Sequence, residues 1–181
     1  MRKSFQEWEE EELRLTFGIH RVRNHPDLVS WVNADAEITP FEIDIIKYLR
    51  DLLMDRVDFW NEDELKFQFI APFMRFVNLN TDQYSTFTQR LISEKVKSQQ
   101  GDEIELYGRP EYIIAVGQQR PRQPFFFIKE YKPEKRSSND PLGQLMAAMI
   151  AAQHKNKVEF PLKGCYVLGR NWFFEIGRAH V

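Results

Sequence analysis

Three residues of this chain have types and spacing suited to work on a phosphate ester: Glu111, Glu130 and Lys132. Glu130 and Lys132 stand two apart at the end of an apolar run that begins Phe125-Phe126-Phe127-Ile128. On a β-strand their side chains share one face, while Lys129 and Tyr131 point the other way. A second apolar run, Glu111-Tyr112-Ile113-Ile114-Ala115-Val116, precedes it across a Gly/Pro loop at 117–124. Folding the two runs as an antiparallel hairpin centred on that loop sets Val116 opposite Phe125 and Glu111 opposite Glu130. Directly opposed residues have Cβ atoms about 5 Å apart. A slip of one residue would carry Glu111 to the other face.

Carboxylates that close repel unless something positive lies between them. Mg²⁺ suits the place: it takes hard oxygen ligands, keeps several waters and binds phosphate. Such an ion acidifies a bound water and stabilises charge building on a phosphate. Lys132 can position or deprotonate that water. The chemistry implied is phosphodiester hydrolysis, with Mg²⁺, or Mn²⁺ as a substitute, on Glu111 and Glu130.

Caps and periodicity predict the elements that hold these residues. Thr39-Pro40-Phe41-Glu42 opens a helix, with a threonine cap, a proline at the first position and a glutamate to close a capping box. It runs to about residue 54 with Phe41, Ile45, Leu49, Leu52 and Leu53 on its buried side. Asn61-Glu62-Asp63-Glu64 opens another, with Leu65, Phe69, Phe73, Phe76 and Val77 along its apolar face and a bend at Pro72. Residues 3–17 place Phe5, Trp8, Leu13 and Phe17 at helical spacing, predicting an amphipathic helix that docks on the domain. A short helix is predicted over 82–91. Beyond it, 93–97 and 103–107 alternate as half-exposed strands around Gln100-Gly101-Asp102. The apolar hairpin follows as central strands. Asp140-Pro141 starts a small-residue helix, and 165–169 and 171–175 supply the last strands. Helices, strands, a helix and strands in that order describe a mixed α/β layer.

Gly108-Arg109-Pro110-Glu111-Tyr112, an apolar strand, and then Phe127-Ile128-Lys129-Glu130-Tyr131-Lys132-Pro133 resemble the signature of the PD-(D/E)XK nuclease superfamily. The flavour is nearest to the N-terminal nuclease domain of type I restriction motor subunits and small Bacteroidetes proteins of similar layout. The resemblance covers 61–174 and implies a restriction-endonuclease-like mixed sheet flanked by helices, after an N-terminal helical extension over 1–60. It implies Mg²⁺ on Glu111 and Glu130, catalysis by Lys132, and nucleic acid, DNA before RNA, as the partner. Members carry a glutamate on a helix before the sheet and a glutamine on the helix after E-x-K; Glu64 and Gln144 match those places. Two positions depart from the pattern. The usual Asp is Glu111, one methylene longer, and the tyrosine often found four residues after the glutamine is Ala148.

Competing readings attach to several residues. With Asn61 as cap, Glu64 also fits a capping box, and a buried Gln144 can simply bind backbone. Arg120, Arg122, Lys135 and Arg136 lie on loops taken to flank the site, where they contact phosphates or stay solvated. His20, His25 and His154 lack ligand spacing and His180 lies in the closing run of the chain, which argues against zinc. Cys165 in Gly164-Cys165-Tyr166-Val167-Leu168-Gly169 reads as core. No phosphate-cradling Gly-rich loop occurs, so a nucleotide-driven motor is not encoded in this segment.

Bulk composition sets the class. The chain has 181 residues, 43% hydrophobic and 14% aromatic, so it buries roughly 70% of its unfolded surface without staples. A net charge of −2 argues against nonspecific coating of nucleic acid, leaving room for a local basic patch. One cysteine, no apolar stretch near 20 residues and no signal-like start predict a cytoplasmic protein off the membrane. The N-terminal helices offer a surface for a protein partner. The closing run Glu175-Ile176-Gly177-Arg178-Ala179-His180-Val181 is what the codons of a common sequencing adapter encode, so 175–181 are expected to be adapter-derived, with the natural chain continuing past Phe174. The alternative to a nuclease is the same fold without catalysis, as a nucleic-acid- or protein-binding module.

Overall fold

Two sheets and the helices between and around them make an α/β fold in the computed structural model, which describes residues 1–132, 140–156 and 160–177. The larger sheet has five strands: β2 (Tyr84–Phe87), β5 (Tyr112–Val116), β6 (Arg122–Lys132), β7 (Leu162–Leu168) and β8 (Asn171–Gly177), in that spatial order. The β5–β6 and β7–β8 pairs are antiparallel, whereas β6 and β7 are parallel, joined across α6 (Pro141–Asn156). Such a crossover needs a helix, and the Asp140-Pro141 start supplies it. A second sheet holds β1 (Arg2–Ser4), β4 (Glu103–Gly108) and β3 (Ile92–Lys97), with β4 in the middle.

Each face of the larger sheet has its own apolar core. On one side α6 lies between the sheets, where Leu145, Ala148 and Ala152 meet Ile113, Ala115, Ile104 and Leu106. On the other, Leu49 and Leu53 of α3 (Pro40–Arg56) and Leu65, Phe69 and Ile70 of the next helical run pack on Tyr131, Cys165 and Val167. Strand alternation sends Tyr131 to this side and Glu130 to the α6 side. The capping box at Thr39 and Glu42 is formed, although Phe41 points into solvent, 71% exposed. Cys165 is buried, as core.

The helical run after Asn61 changes pitch. α4 (Glu62–Leu65) passes into a π-helical turn, Lys66–Ile70, before α5 (Ala71–Val77). The Ala71 N–H reaches back five residues to the Lys66 carbonyl. Pro72 explains the widening, since it has no N–H to donate and its ring crowds the carbonyl four residues before it.

Three expectations give way. Residues 3–17 are not one helix: β1 runs parallel to β4, a 3₁₀ turn follows at Phe5–Glu7, and α1 covers only Glu10–Phe17. The first sixty residues are therefore not wholly helical, and Phe5, Trp8 and Leu13 lie in the same core as α6. Residues 84–87 form β2, not part of a helix, because Tyr-Ser-Thr-Phe pairs antiparallel with β5; aromatic and β-branched residues suit a half-buried edge. Near the 117–124 loop the hairpin register shifts, between Ile114 and Val116. There Asn156 fills the gap: it accepts from the Phe125 N–H at 2.7 Å and donates to the Phe125 carbonyl at 2.8 Å.

The start of α6 is fixed by contact with the N-terminal segment. The Asp140 carboxylate accepts from the Leu142 N–H at 3.0 Å and from the Glu10 N–H at 2.9 Å, tying two helix starts together. At Gly143 a Cβ would come within 2.3 Å of the Trp8 carbonyl oxygen. Gly143→Ala should destabilise the protein by up to about 2 kcal/mol, an overpacking cost of about 1–3 kcal/mol less the roughly 1 kcal/mol that alanine gains in a helix. Chemical denaturation checks this; a more stable variant would mean that the N-terminal segment does not lie against α6. No helix among the described residues is long and apolar enough to cross a membrane.

Candidate functional site

Glu130 sits in the central strand of the larger sheet with no exposure at all. The β5–β6 ladder pairs Tyr112 with Lys129, Ile113 with Ile128 and Ile114 with Phe127. That is the register expected from the hairpin, and it brings Glu111, one residue before β5, to the level of Glu130. Glu111 is 8% exposed. From α6, Gln144 Nε2 donates to Glu130 Oε2 at 2.8 Å. The Asp140-Pro141 start puts Gln144 one turn into the helix, on the side that faces β6.

The electrostatics are severe. Burial holds the Glu130 carboxyl well above the usual carboxylate range, and the charge of Glu111 adds to the effect; Lys132 and the Glu111 backbone N–H pull it down, and Glu62 pushes it up. Burial also raises the Tyr131 hydroxyl, which hydrogen-bonds Glu111. Lys132 Nζ lies 3.2 Å from Glu62 Oε2, its side chain 13% exposed. Lys66 Nζ lies 3.1 Å from Glu111 Oε2. That contact is an ion pair without hydrogen-bond alignment, because Glu111 Oε2 has no hydrogen-bond partner among the described residues.

Glu111 Oε2 shares this state with two neighbours. Glu130 Oε1 and Gln144 Oε1 are buried and likewise without hydrogen-bond partners among the described residues. A buried oxygen left unmatched costs about 1–3 kcal/mol, so three in one cluster require a reason. A hard divalent cation is the ligand that carboxylate and amide oxygens of this kind accept. Among the described residues no group of three or more His, Cys, Asp or Glu side chains could hold a metal. The oxygens that could hold such an ion here are those of Glu111 and Glu130 with the Gln144 amide, a small set that would leave the ion several waters of its own.

The structure brings together four of the five residues read from the sequence: Glu111, Glu130, Lys132 and Gln144. Glu64 stays outside. It is exposed, its carboxylate accepts from the Asn61 N–H at 2.8 Å, and its own N–H donates to Asn61 Oδ1 at 2.9 Å, which is the capping box. Arg120 and Arg122 do not flank the site either. Arg122 begins the strand on which Glu130 lies eight residues later, about 26 Å along an extended chain. Lys135 and Arg136 lie outside the described residues.

Glu62, Lys66 and Tyr131 are site residues that the sequence reading passed over. A signal existed for two of them. Glu62 and Lys66 are four apart and border the buried Leu65 and Phe69, so one helix edge carries an acid and a base next to the core. Glu64 is turned about 100° from Leu65.

No family model matches this sequence, and neither a curated protein nor a solved structure matches the chain.

Proposed function

We propose that this chain is a divalent-cation-dependent phosphodiester hydrolase of the PD-(D/E)XK nuclease kind, acting on nucleic acid, DNA before RNA. The supporting observation is the fully buried Glu130, with an unmatched oxygen between Glu111 and Gln144 and with Lys132 on the same strand face. A buried carboxylate without compensation is strongly unfavourable, and a carboxyl perturbed by burial and by a second carboxylate is the kind of group that functional sites collect. Glu111 and Glu130 would hold Mg²⁺, which supplies an activated water and charge stabilisation on the phosphate when bound. Gln144 fixes the Glu130 carboxylate through its amide hydrogen bond. Lys132, steadied by Glu62, holds the attacking water or the scissile phosphate on the Glu130 side of the strand. The single buried cysteine suits a cytoplasmic setting for such an enzyme.

The second reading is a non-catalytic binding module on the same fold. It is favoured by the two ion pairs, which satisfy both lysines from within the chain. Thermal unfolding with and without Mn²⁺ or Mg²⁺ tests the choice. A ligand that binds only the folded state adds about 2.7 kcal/mol at a hundredfold excess over Kd, or roughly 5–10 °C in Tm for a chain of this size. Glu130→Ala should lose that gain. An equal gain in the variant removes Glu130 from the ligand set, and no gain in the wild type moves the assignment to the binding module.

A further inference from the structure

Lys66 has no role in the chemistry just described, yet its ammonium stands where a second cation would have to go. It lies 3.1 Å from Glu111 Oε2, one of the unmatched oxygens of the cluster. The contact lacks hydrogen-bond alignment, so the lysine is held by charge and is free to leave. It also has somewhere to go. The Lys66 side chain is 26% exposed against 10% for Glu111, and its Nζ is already 5.1 Å from the centre of the Tyr131 ring, within cation–π range. The π-helical turn that begins at Lys66 sets this side chain against Glu111 while Glu62, one turn earlier, meets Lys132. Helix and strands are thus joined by two crossed ion pairs that balance each other in charge.

We propose that Lys66 is a built-in competitor for the divalent cation, a lysine counter-ion that must be displaced from Glu111 before metal binds. The proposal rests on reading Glu111 and Glu130 as the cation site. Two cations cannot share one carboxylate oxygen at this distance without strong repulsion, so metal entry sends the Lys66 ammonium toward the Tyr131 ring and the solvent rim. Metal affinity is thereby set below what the two carboxylates alone would give. An anionic phosphodiester arriving at the rim attracts the same ammonium, so substrate and metal assist each other's binding. Lys66 acts through Glu111 and is a positioning residue.

Mn²⁺ titration of the full chain by calorimetry, with no nucleic acid present, reads this directly. Lys66→Met should bind Mn²⁺ roughly three- to fivefold more tightly than the wild type, the size of effect expected when a partly exposed charge is removed from a carboxylate ligand. Lys66→Gln should behave alike, providing a second variant if the first folds poorly, and Lys66→Arg should stay near the wild type. In a Glu111→Gln background, removing Lys66 should change affinity by less than about twofold, because the two act on one group. If Lys66 merely props Glu111 in place, its loss leaves Mn²⁺ binding equal or weaker, and that result in a folded variant overturns the proposal. A wild-type chain that takes up no Mn²⁺ overturns the proposed function together with it; uptake by the wild type that is unchanged in both neutral variants overturns this inference alone.

Discussion

Lys132→Ala should lower metal-dependent cleavage by about 10²–10⁴-fold, the usual worth of a positioned proton-transfer or charge-stabilising group, while Mn²⁺ still raises Tm nearly as in the wild type. The two readouts separate because Lys132 is not a carboxylate ligand: it stands two residues past Glu130 on the same strand face, its ammonium 3.2 Å from Glu62. Losing it leaves the oxygens of Glu111, Glu130 and Gln144 where they are. Its side chain is mostly buried, so the alanine removes a desolvated charge facing the site. Lys132→Arg should rescue poorly, since a planar guanidinium does not replace a compact ammonium. Glu62→Gln should cost less, because Glu62 only steadies the lysine. Single-turnover cleavage at saturating Mn²⁺ measures all of these; a rate for Lys132→Ala within threefold of the wild type would take Lys132 out of the mechanism.

Glu130→Gln should stabilise the metal-free protein at pH 7.5 by on the order of 2 kcal/mol, comparable with the gain when buried ion pairs are replaced by uncharged residues of similar volume, or about 6 °C in Tm. The sign follows from linkage. Burial, with Glu111 next, holds the folded-state carboxyl above its ordinary value, so the folded protein binds this proton more tightly than the unfolded chain. The wild type is therefore unpenalised below the ordinary carboxylate range and loses stability as pH rises through the folded-state value. Glutamine carries no such proton, so the difference between the two proteins should close as pH falls toward 4.5 and widen above it. With Mn²⁺ the order should reverse, since only the wild type gains. Unfolding curves across pH 4–8 decide it: a glutamine variant less stable at every pH would mean that Glu130 is held as a compensated anion.

The parts of the site legible in the sequence are those governed by short-range geometry. Period two puts Glu130 and Lys132 on one face whatever surrounds them, and the hairpin register near Glu111 follows from pairing two apolar runs end to end. Gln144 is named by the family resemblance, and Asp140-Pro141 fixes where its helix begins. Glu64 enters the site only through the family resemblance; the capping box that its spacing from Asn61 also offers is the one formed, and it leaves Glu62 to face the sheet. What was not legible depends on tertiary packing. A three-residue polar strand, Arg2–Ser4, shows no periodicity and exists because β4 offers it a parallel edge. The short β2 owes its form to β5, and the crossed ion pairs of Glu62 and Lys66 join segments as much as seventy residues apart. Arg120 and Arg122 looked close to the site only while the length of β6 was not considered.

Cleavage itself bears most directly on Glu111, Glu130 and Lys132 as a hydrolytic metal site. The full chain, shown to unfold cooperatively, should be offered linear, supercoiled and single-stranded DNA and an RNA, with Mg²⁺, with Mn²⁺, and with chelator. The expected result is metal-dependent cutting of at least one DNA form, absent with chelator and lost in Glu130→Ala. A folded protein that cuts none of the four with either ion would contradict it and leave the fold as a binding module.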